Sequence, residues 1–224
     1  MLNGPIESLT STENAQPALL TSSLAYYKHF LDKGNQVDAC AGHSLGEYTA
    51  LVAAGVINFE DAVMLVHKRG KYMQEAVPVG LGGMLAVMGL GEEEILDFCS
   101  KVTGSDGNGG IVEIANLNCP GQTVVAGDKK GLAEFQDIAS GSKIIPLNVS
   151  APFHCSLMKP AADNLAKDLD AISFNEPKIP VVANVTAKAI ASAEESKELL
   201  KQQVCSSVRS VSYTHLTLPT TPYV

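Results

Sequence analysis

The chain has 224 residues, 46% of them hydrophobic and 18% charged, with a formal net charge of -8 at pH 7. No apolar run is long enough to cross a bilayer and no basic block is interleaved with aromatic residues, so we expect neither a membrane nor a nucleic acid as a partner. The five cysteines lack CxxC or metal-ligand spacing, which argues against a disulfide framework and a metal site. These features, with no secretory signal, predict a globular cytoplasmic protein.

The first predicted element is a helix that begins at Gln16 and Pro17 and ends at Gly34. Its apolar face is formed by Leu20, Leu24, Tyr27 and Leu31. Residues 1–12 before it are polar and rich in turn formers, which is not typical of the start of a compact α/β domain. We therefore expect that the chain was cut from a longer protein.

A Gly-x-Ser-x-Gly pattern at residues 42–46 lies between an apolar run at 37–41, predicted as a strand, and a helix-compatible run at 47–54. A nucleophilic serine needs this strand, turn and helix, because the glycines relieve crowding where the chain reverses. We predict Ser44 as a nucleophile and the Leu45 N–H, at the positive end of the helix dipole, as an oxyanion donor. The alternative is a glycine-flanked turn that happens to contain a serine.

The next helix, capped by Asn58, carries one arginine, Arg69, in the middle of its apolar side. The surrounding apolar positions are Ala62, Leu65, Val66, Tyr72, Met73 and Ala76. A guanidinium in such a place must find an anion or lose much hydration energy. Two interpretations follow: Arg69 snorkels or pairs with a structural carboxylate, or its planar fork binds a substrate carboxylate through two parallel hydrogen bonds.

Residues 80–149 have the order βαββαβ, which is the ferredoxin-like arrangement. The predicted strands cover 84–88, 111–115, 123–126 and 143–149, and the predicted helices cover 92–101 and 132–139. We predict an α/β protein with an α/β-hydrolase-like core and a parallel sheet. Residues 1–79 and 150–210 would form this core, and residues 80–149 an inserted ferredoxin-like subdomain.

His154 follows the insert and precedes a helix with Pro160 in its first turns. A helix N-terminus disfavours imidazolium, so His154 can stay neutral and act as a base, although capping or packing would also explain a histidine there. A strand over 179–185 and a helix over 193–204 follow. Residues 211–224 are rich in threonine and fit no helix or strand pattern, so we expect a non-native tail, such as out-of-frame translation.

Four collinear parts of the sequence carry a resemblance to one family: residues 42–48 (GHSLGEY), 69–70 with 73–78 (RG, MQEAVP), 115–122 (ANLNCPGQ), and 152–155 with 157–161 (PFHC, LMKPA). Over about residues 4–209 the chain resembles the bacterial malonyl-CoA:acyl carrier protein transacylases, an acyltransferase family. The resemblance implies transfer of malonyl from malonyl-CoA to the phosphopantetheine thiol of acyl carrier protein in fatty acid biosynthesis, through a malonyl-serine. It also implies a monomer, with malonyl-CoA as substrate and no permanently bound cofactor.

The resemblance also implies roles for individual residues. Ser44 corresponds to the nucleophile, His154 to its general base, and Arg69 to the arginine that holds the malonyl carboxylate. Supporting roles are implied for Leu45 (an oxyanion N–H), Gln203 (a backbone carbonyl that orients the imidazole), and Asn116 and Asn118 (the lining of the substrate cleft). We further expect the bulky Phe153, beside His154, to disfavour a methylmalonyl group.

The resemblance has two gaps. The family opens with a strand and a Gly-Gln-Gly-Ser-Gln loop that supplies a second oxyanion donor, and it continues beyond the positions that match Arg209. We therefore expect a fragment that lacks both ends, and whether this chain is active by itself stays open.

Other functions stay open as well. A polyketide-type acyltransferase would share the chemistry and differ in its carrier and extender unit. A serine thioesterase or esterase would need a triad acid between Ser44 and His154, such as Asp128 or Asp137. A truncated, inactive chain could still bind an acidic carrier through Lys68, Lys71, Lys129, Lys130 and Lys159.

Overall fold

The computed structural model describes residues 3–103, 109–149, 151–210 and 212. In these ranges the α-helices are α1 Ile6–Thr10, α2 Thr12–Asp32, α3 Leu45–Ala53, α4 Phe59–Ala76, α5 Glu92–Thr103, α6 Lys129–Ile138, α7 Lys159–Ala171 and α8 Ala193–Gln203. The strands are β1 Cys40–Ala41, β2 Gly82–Met88, β3 Val112–Cys119, β4 Gln122–Asp128, β5 Lys143–Pro146 and β6 Val181–Val182. All but Ser212 of the predicted tail at 211–224 lies outside the described residues.

The larger core is formed mainly by helices around a short parallel pair of strands. β1 pairs with β6 in parallel, with Cys40 opposite Val181. α4 packs against both α2 and α7, and their apolar faces share one buried cluster that includes Leu20, Leu51, Leu65, Val66, Leu165, Leu169 and Leu200. Asn58 caps α4 as the sequence predicts: its side chain accepts from the Asp61 N–H at 2.7 Å.

A second, antiparallel sheet has the strand order β3-β4-β2-β5, and α5 and α6 cover one of its faces. Because side chains alternate along a strand, Leu85 and Val87 of β2 join that helical cluster, whereas Met84 and Ala86 point to the opposite face. The opposite face packs against Cys155, next to His154. The second sheet therefore helps to position the segment that contains His154 and Cys155.

The predicted α/β class, with a parallel sheet and a ferredoxin-like antiparallel sheet, is confirmed. The predicted division of the chain at residues 80 and 149 stays a prediction. None of the helices in the described ranges combines the length and the apolar composition that a bilayer crossing requires.

Some element boundaries were predicted wrongly. The strands predicted at 37–41 and 179–185 are only two residues long, Cys40–Ala41 and Val181–Val182. The start of the chain contains α1, and α2 begins at Thr12, ahead of Pro17. Proline has no N–H for the Glu13 carbonyl; the His67 Nδ1–H donates to that carbonyl instead, at 2.9 Å. A tertiary contact therefore extends the helix beyond the point that the sequence indicates.

Candidate active site

Ser44 lies at a sharp turn between β1 and α3, with backbone angles φ 53° and ψ −105°. Residues other than glycine rarely adopt such a conformation, and it is held by close packing of the glycines on either side. A Cβ atom on Gly42 would lie 2.1 Å from the carbonyl carbon and oxygen of Gly46. A glycine at position 42 is thus a steric requirement of the strained turn over residues 42–46, the elbow, which an ordinary turn would not need.

This packing gives a stability prediction with an internal control. We expect Gly42→Ala to lower the free energy of unfolding by about 1–3 kcal/mol, because the added methyl group meets backbone atoms that cannot move away easily. A Cβ on Gly46 would meet no atom within 4 Å, so Gly46→Ala should leave the stability unchanged or slightly higher. Urea denaturation followed by circular dichroism measures both, and equal stabilities of the two variants would contradict the close packing.

Asn184 fastens the elbow from a distant part of the chain. Its Oδ1 accepts from the Ser44 N–H at 2.6 Å, and its Nδ2 donates to the Gly42 carbonyl at 2.6 Å. The side chain is fully buried in the loop that follows β6. Both ends of its amide therefore hold the backbone that presents the serine.

His154 lies next to Ser44, with its Nε2 2.7 Å from Ser44 Oγ. Its Nδ1 lies 2.9 Å from the backbone carbonyl oxygen of Gln203. Because a carbonyl can only accept, Nδ1 carries the proton of the neutral ring and Nε2 is left to accept from the serine hydroxyl. Burial and the nearby positive charge of Arg69 lower the pKa of His154 to about 3. The imidazole is therefore a neutral base at physiological pH.

Arg69 is 1% exposed and reaches the same hydroxyl from the other side. Its Nη2 donates to Ser44 Oγ and to Gln203 Oε1, both at 3.0 Å, and its Nη1 donates to Gln16 Oε1 at 2.7 Å. The guanidinium also lies 5.3 Å from the centre of the Tyr48 ring. These acceptors are all neutral, and Nε has no hydrogen-bond partner among the described residues. Within the described ranges, the guanidinium is thus held in place with no carboxylate hydrogen-bonded to it.

A cavity of about 290 Å³ connects these groups. Its lining includes six predicted site residues, namely Ser44, Leu45, Arg69, Asn116, Phe153 and His154. Leu45 is the first residue of α3, so its N–H belongs to the free donors of a helix N-terminus. Asn118 differs from the others: its Oδ1 lies 3.2 Å from Nε2 of His43, and His43 in turn lines the cavity.

Gln203 contributes its side chain as well as its carbonyl. Its Nε2 donates to the Ser44 carbonyl at 2.9 Å and to Glu47 Oε2 at 2.6 Å. The chain after α8 is fixed to β3, because the Val208 N–H donates to the Ala115 carbonyl and the Leu117 N–H donates to the Val208 carbonyl, each at 2.9 Å. The segment that begins with Gln203 is therefore hydrogen-bonded both to the elbow and to β3.

Three buried polar residues of the site are given no role by the sequence analysis: Gln16, Glu47 and Asn184. Burial raises the pKa of the Glu47 carboxyl to about 7. The possible triad acid Asp128 instead caps α6 and accepts from the Gly131 and Ile111 N–H groups. In the part of the chain that the structure describes, no three His, Cys, Asp or Glu side chains are grouped so as to bind a metal ion.

Residues 1–217 match the family model described as the acyl transferase domain. The malonyl CoA-acyl carrier protein transacylase of Bacillus subtilis is 48% identical over 212 residues, which are 93% of this chain and 66% of that protein. The solved structure of the same enzyme from Coxiella burnetii is 43% identical with a TM-score of 0.89, over 94% of this chain and 67% of that one.

A further solved structure shows a type II PKS acyl-carrier protein in complex with its malonyl-transacylase. It is 47% identical with a TM-score of 0.87, over 93% of this chain and 67% of that one. The present chain therefore spans about two thirds of the length of these relatives.

Proposed function

The chain belongs to the acyl transferase domain family, and we propose that it transfers malonyl from malonyl-CoA to the phosphopantetheine thiol of acyl carrier protein, in fatty acid biosynthesis. One observation carries the proposal: the hydroxyl of Ser44, a residue with a strained backbone, lies 2.7 Å from a neutral imidazole and 3.0 Å from a buried guanidinium. The imidazole provides the base for acyl transfer. The guanidinium provides a cation where a carboxylated acyl group would lie.

The reaction consists of two half-reactions, acylation of Ser44 and transfer of the malonyl group to the carrier, and both use the same base. His154 Nε2 takes the Ser44 proton while Oγ attacks the thioester carbonyl; the C–S bond breaks, and CoA leaves as a thiol with the proton from the imidazolium. The carrier thiol then gives its proton to His154 and attacks the malonyl-serine ester, and the returned proton restores the serine. The Leu45 N–H and the N-terminus of α3 stabilise the oxyanion in each half.

Two residues that line the cavity, Arg69 and Phe153, would determine which acyl group is accepted. The Arg69 guanidinium offers a positive charge and N–H donors to the malonyl carboxylate. An acyl group without a carboxylate would leave the guanidinium without its anion. Phe153 lines the cavity next to His154, where we expect it to crowd an α-methyl branch. The proposed preference is therefore malonyl over acetyl, and malonyl over methylmalonyl.

The remaining parts of the proposal concern partners and place. The relative solved with its carrier protein supports an acyl carrier protein as the second substrate. All five cysteines are free, which is compatible with a reducing cytoplasm. We propose a cytoplasmic monomer without a resident cofactor. A polyketide carrier as acceptor stays an alternative, because it changes the partner and leaves the chemistry the same.

Intact-protein mass spectrometry after incubation with malonyl-CoA tests the proposal. We expect one malonyl group on the chain and none on Ser44→Ala, with circular dichroism showing that both are folded. Equal labelling of the two would exclude Ser44 as nucleophile. A folded chain that binds acyl carrier protein yet takes no malonyl group would favour the carrier-binding alternative.

A second stage separates transfer from hydrolysis. Isolated malonyl-enzyme is mixed with the phosphopantetheine form of acyl carrier protein, or with buffer alone. The proposal predicts that the malonyl group appears on the carrier much faster than free malonate appears in buffer. Release at the same rate in both would indicate a thioesterase or esterase.

A further inference from the structure

Glu47 places a fully buried carboxylate directly behind the elbow, at the third residue of α3. Its Oε2 accepts from Gln203 Nε2 at 2.6 Å and from the Asn184 backbone N–H at 3.2 Å, while Oε1 has no hydrogen-bond partner among the described residues. Burying a carboxylate costs free energy that a neutral side chain would not. A buried carboxylate at this position therefore indicates a role beyond packing.

The two residues that donate to Glu47 also hold the reactive groups. Asn184 binds the Ser44 N–H and the Gly42 carbonyl, on the nucleophile side. Gln203 binds the Arg69 guanidinium through Oε1 and the His154 imidazole through its backbone carbonyl. One carboxylate oxygen thus joins the loop after β6 to the end of α8, and each of these segments orients part of the site.

We propose that Glu47 is a positioning residue, whose carboxylate fixes Gln203 and Asn184 and, through them, the imidazole, the guanidinium and the elbow. The kinetic part of this inference rests on the proposed malonyl transfer; the contacts do not. Glu47 touches no reacting atom, so its effect is on geometry. A displacement of about 1 Å at a reacting group can cost about 10²-fold in rate.

The test compares two substitutions that both remove the charge. Glu47→Gln keeps an amide oxygen that can accept from both donors, whereas Glu47→Met has a similar length and no such acceptor. We expect Glu47→Met to slow the acylation of Ser44 by about 10–100-fold, mainly in kcat, and Glu47→Gln to stay within about 5-fold of the parent chain. Glu75→Gln, at a side chain that is 61% exposed on α4, is the matched control and should leave the acylation rate unchanged.

A second measurement does not depend on malonyl transfer. The Nδ1–H of His154 gives an NMR signal only while its bond to the Gln203 carbonyl protects it from exchange with water. We expect this signal in the parent chain and in Glu47→Gln, and its broadening or loss in Glu47→Met. If Glu47→Met does not fold, Gln203→Met removes the same side-chain bond from the other end, together with the bonds of that side chain to Arg69 and to the Ser44 carbonyl, and should likewise broaden or abolish the signal.

Equal acylation rates for Glu47→Met and Glu47→Gln would overturn the proposal, as would a protected Nδ1–H signal in Glu47→Met. If the parent chain takes no malonyl group, the proposed function is in question, and the NMR comparison alone decides the role of Glu47. A lower melting temperature with an unchanged rate would show that Glu47 is merely structural.

Discussion

His154→Ala is expected to slow the acylation of Ser44 by malonyl-CoA about 10²–10⁴-fold, because it removes the base that accepts the serine proton. The binding of malonyl-CoA should change much less, since Arg69 and the cavity remain. Quenched-flow mass spectrometry measures the rate of adduct formation over a range of malonyl-CoA concentrations. His29→Ala, at an exposed histidine near the end of α2, is the control. A loss confined to binding would contradict the base role.

The pH dependence of the same reaction is also expected to be unusual. His154 is active when deprotonated, and its pKa of about 3 means that the neutral form dominates throughout pH 5–8. Besides Arg69, the group that lowers this pKa by its charge is His43. We therefore expect no fall in rate near pH 6.5, where an ordinary histidine would become protonated.

Glu47 is the buried group of the site whose pKa, about 7, falls inside that range. An inflection near pH 7 that disappears in Glu47→Gln would belong to Glu47. An acid limb near pH 6.5 that persists in Glu47→Gln would show that His154 titrates normally and would contradict the buried, neutral base.

The parts of the site that the sequence predicts are those that depend on neighbours along the chain. The elbow follows from two glycines four residues apart, and Arg69 stands out against the apolar positions around it. Their meeting at one hydroxyl does not follow from spacing, because Ser44 and His154 are 110 residues apart. The resemblance to a family supplied that pairing.

The residues that the sequence does not predict act through distant contacts. Asn184 reaches Ser44 across 140 residues, and nothing in its own surroundings distinguishes it from a loop asparagine. Glu47 has the position of an ordinary acidic residue in the first turn of a helix, where it would favour the dipole from the surface. Only the packing of α3 against β1, β6 and the end of α8 turns it into a buried acceptor.

Arg69→Ala is expected to change the choice of substrate more than any other substitution. Among the residues that the structure describes, the guanidinium donates only to neutral oxygens, so its charge is available to an incoming carboxylate. We expect the ratio of malonyl to acetyl acylation to fall by about 10²-fold or more, because the malonyl carboxylate would enter a buried site without a cation.

Measuring both acyl-CoA substrates on the same variant removes the effect of stability from this comparison. Arg69→Ala also removes donors from Gln16 and Gln203, and the resulting loss of active protein lowers both rates equally and cancels in the ratio. Arg69→Lys keeps the charge and loses the planar fork, so its ratio should lie between those of the parent chain and Arg69→Ala. An unchanged ratio in Arg69→Ala, whatever the absolute rates, would mean that Arg69 serves the fold and the orientation of Gln203, and that the selectivity for a carboxylated acyl group has another origin.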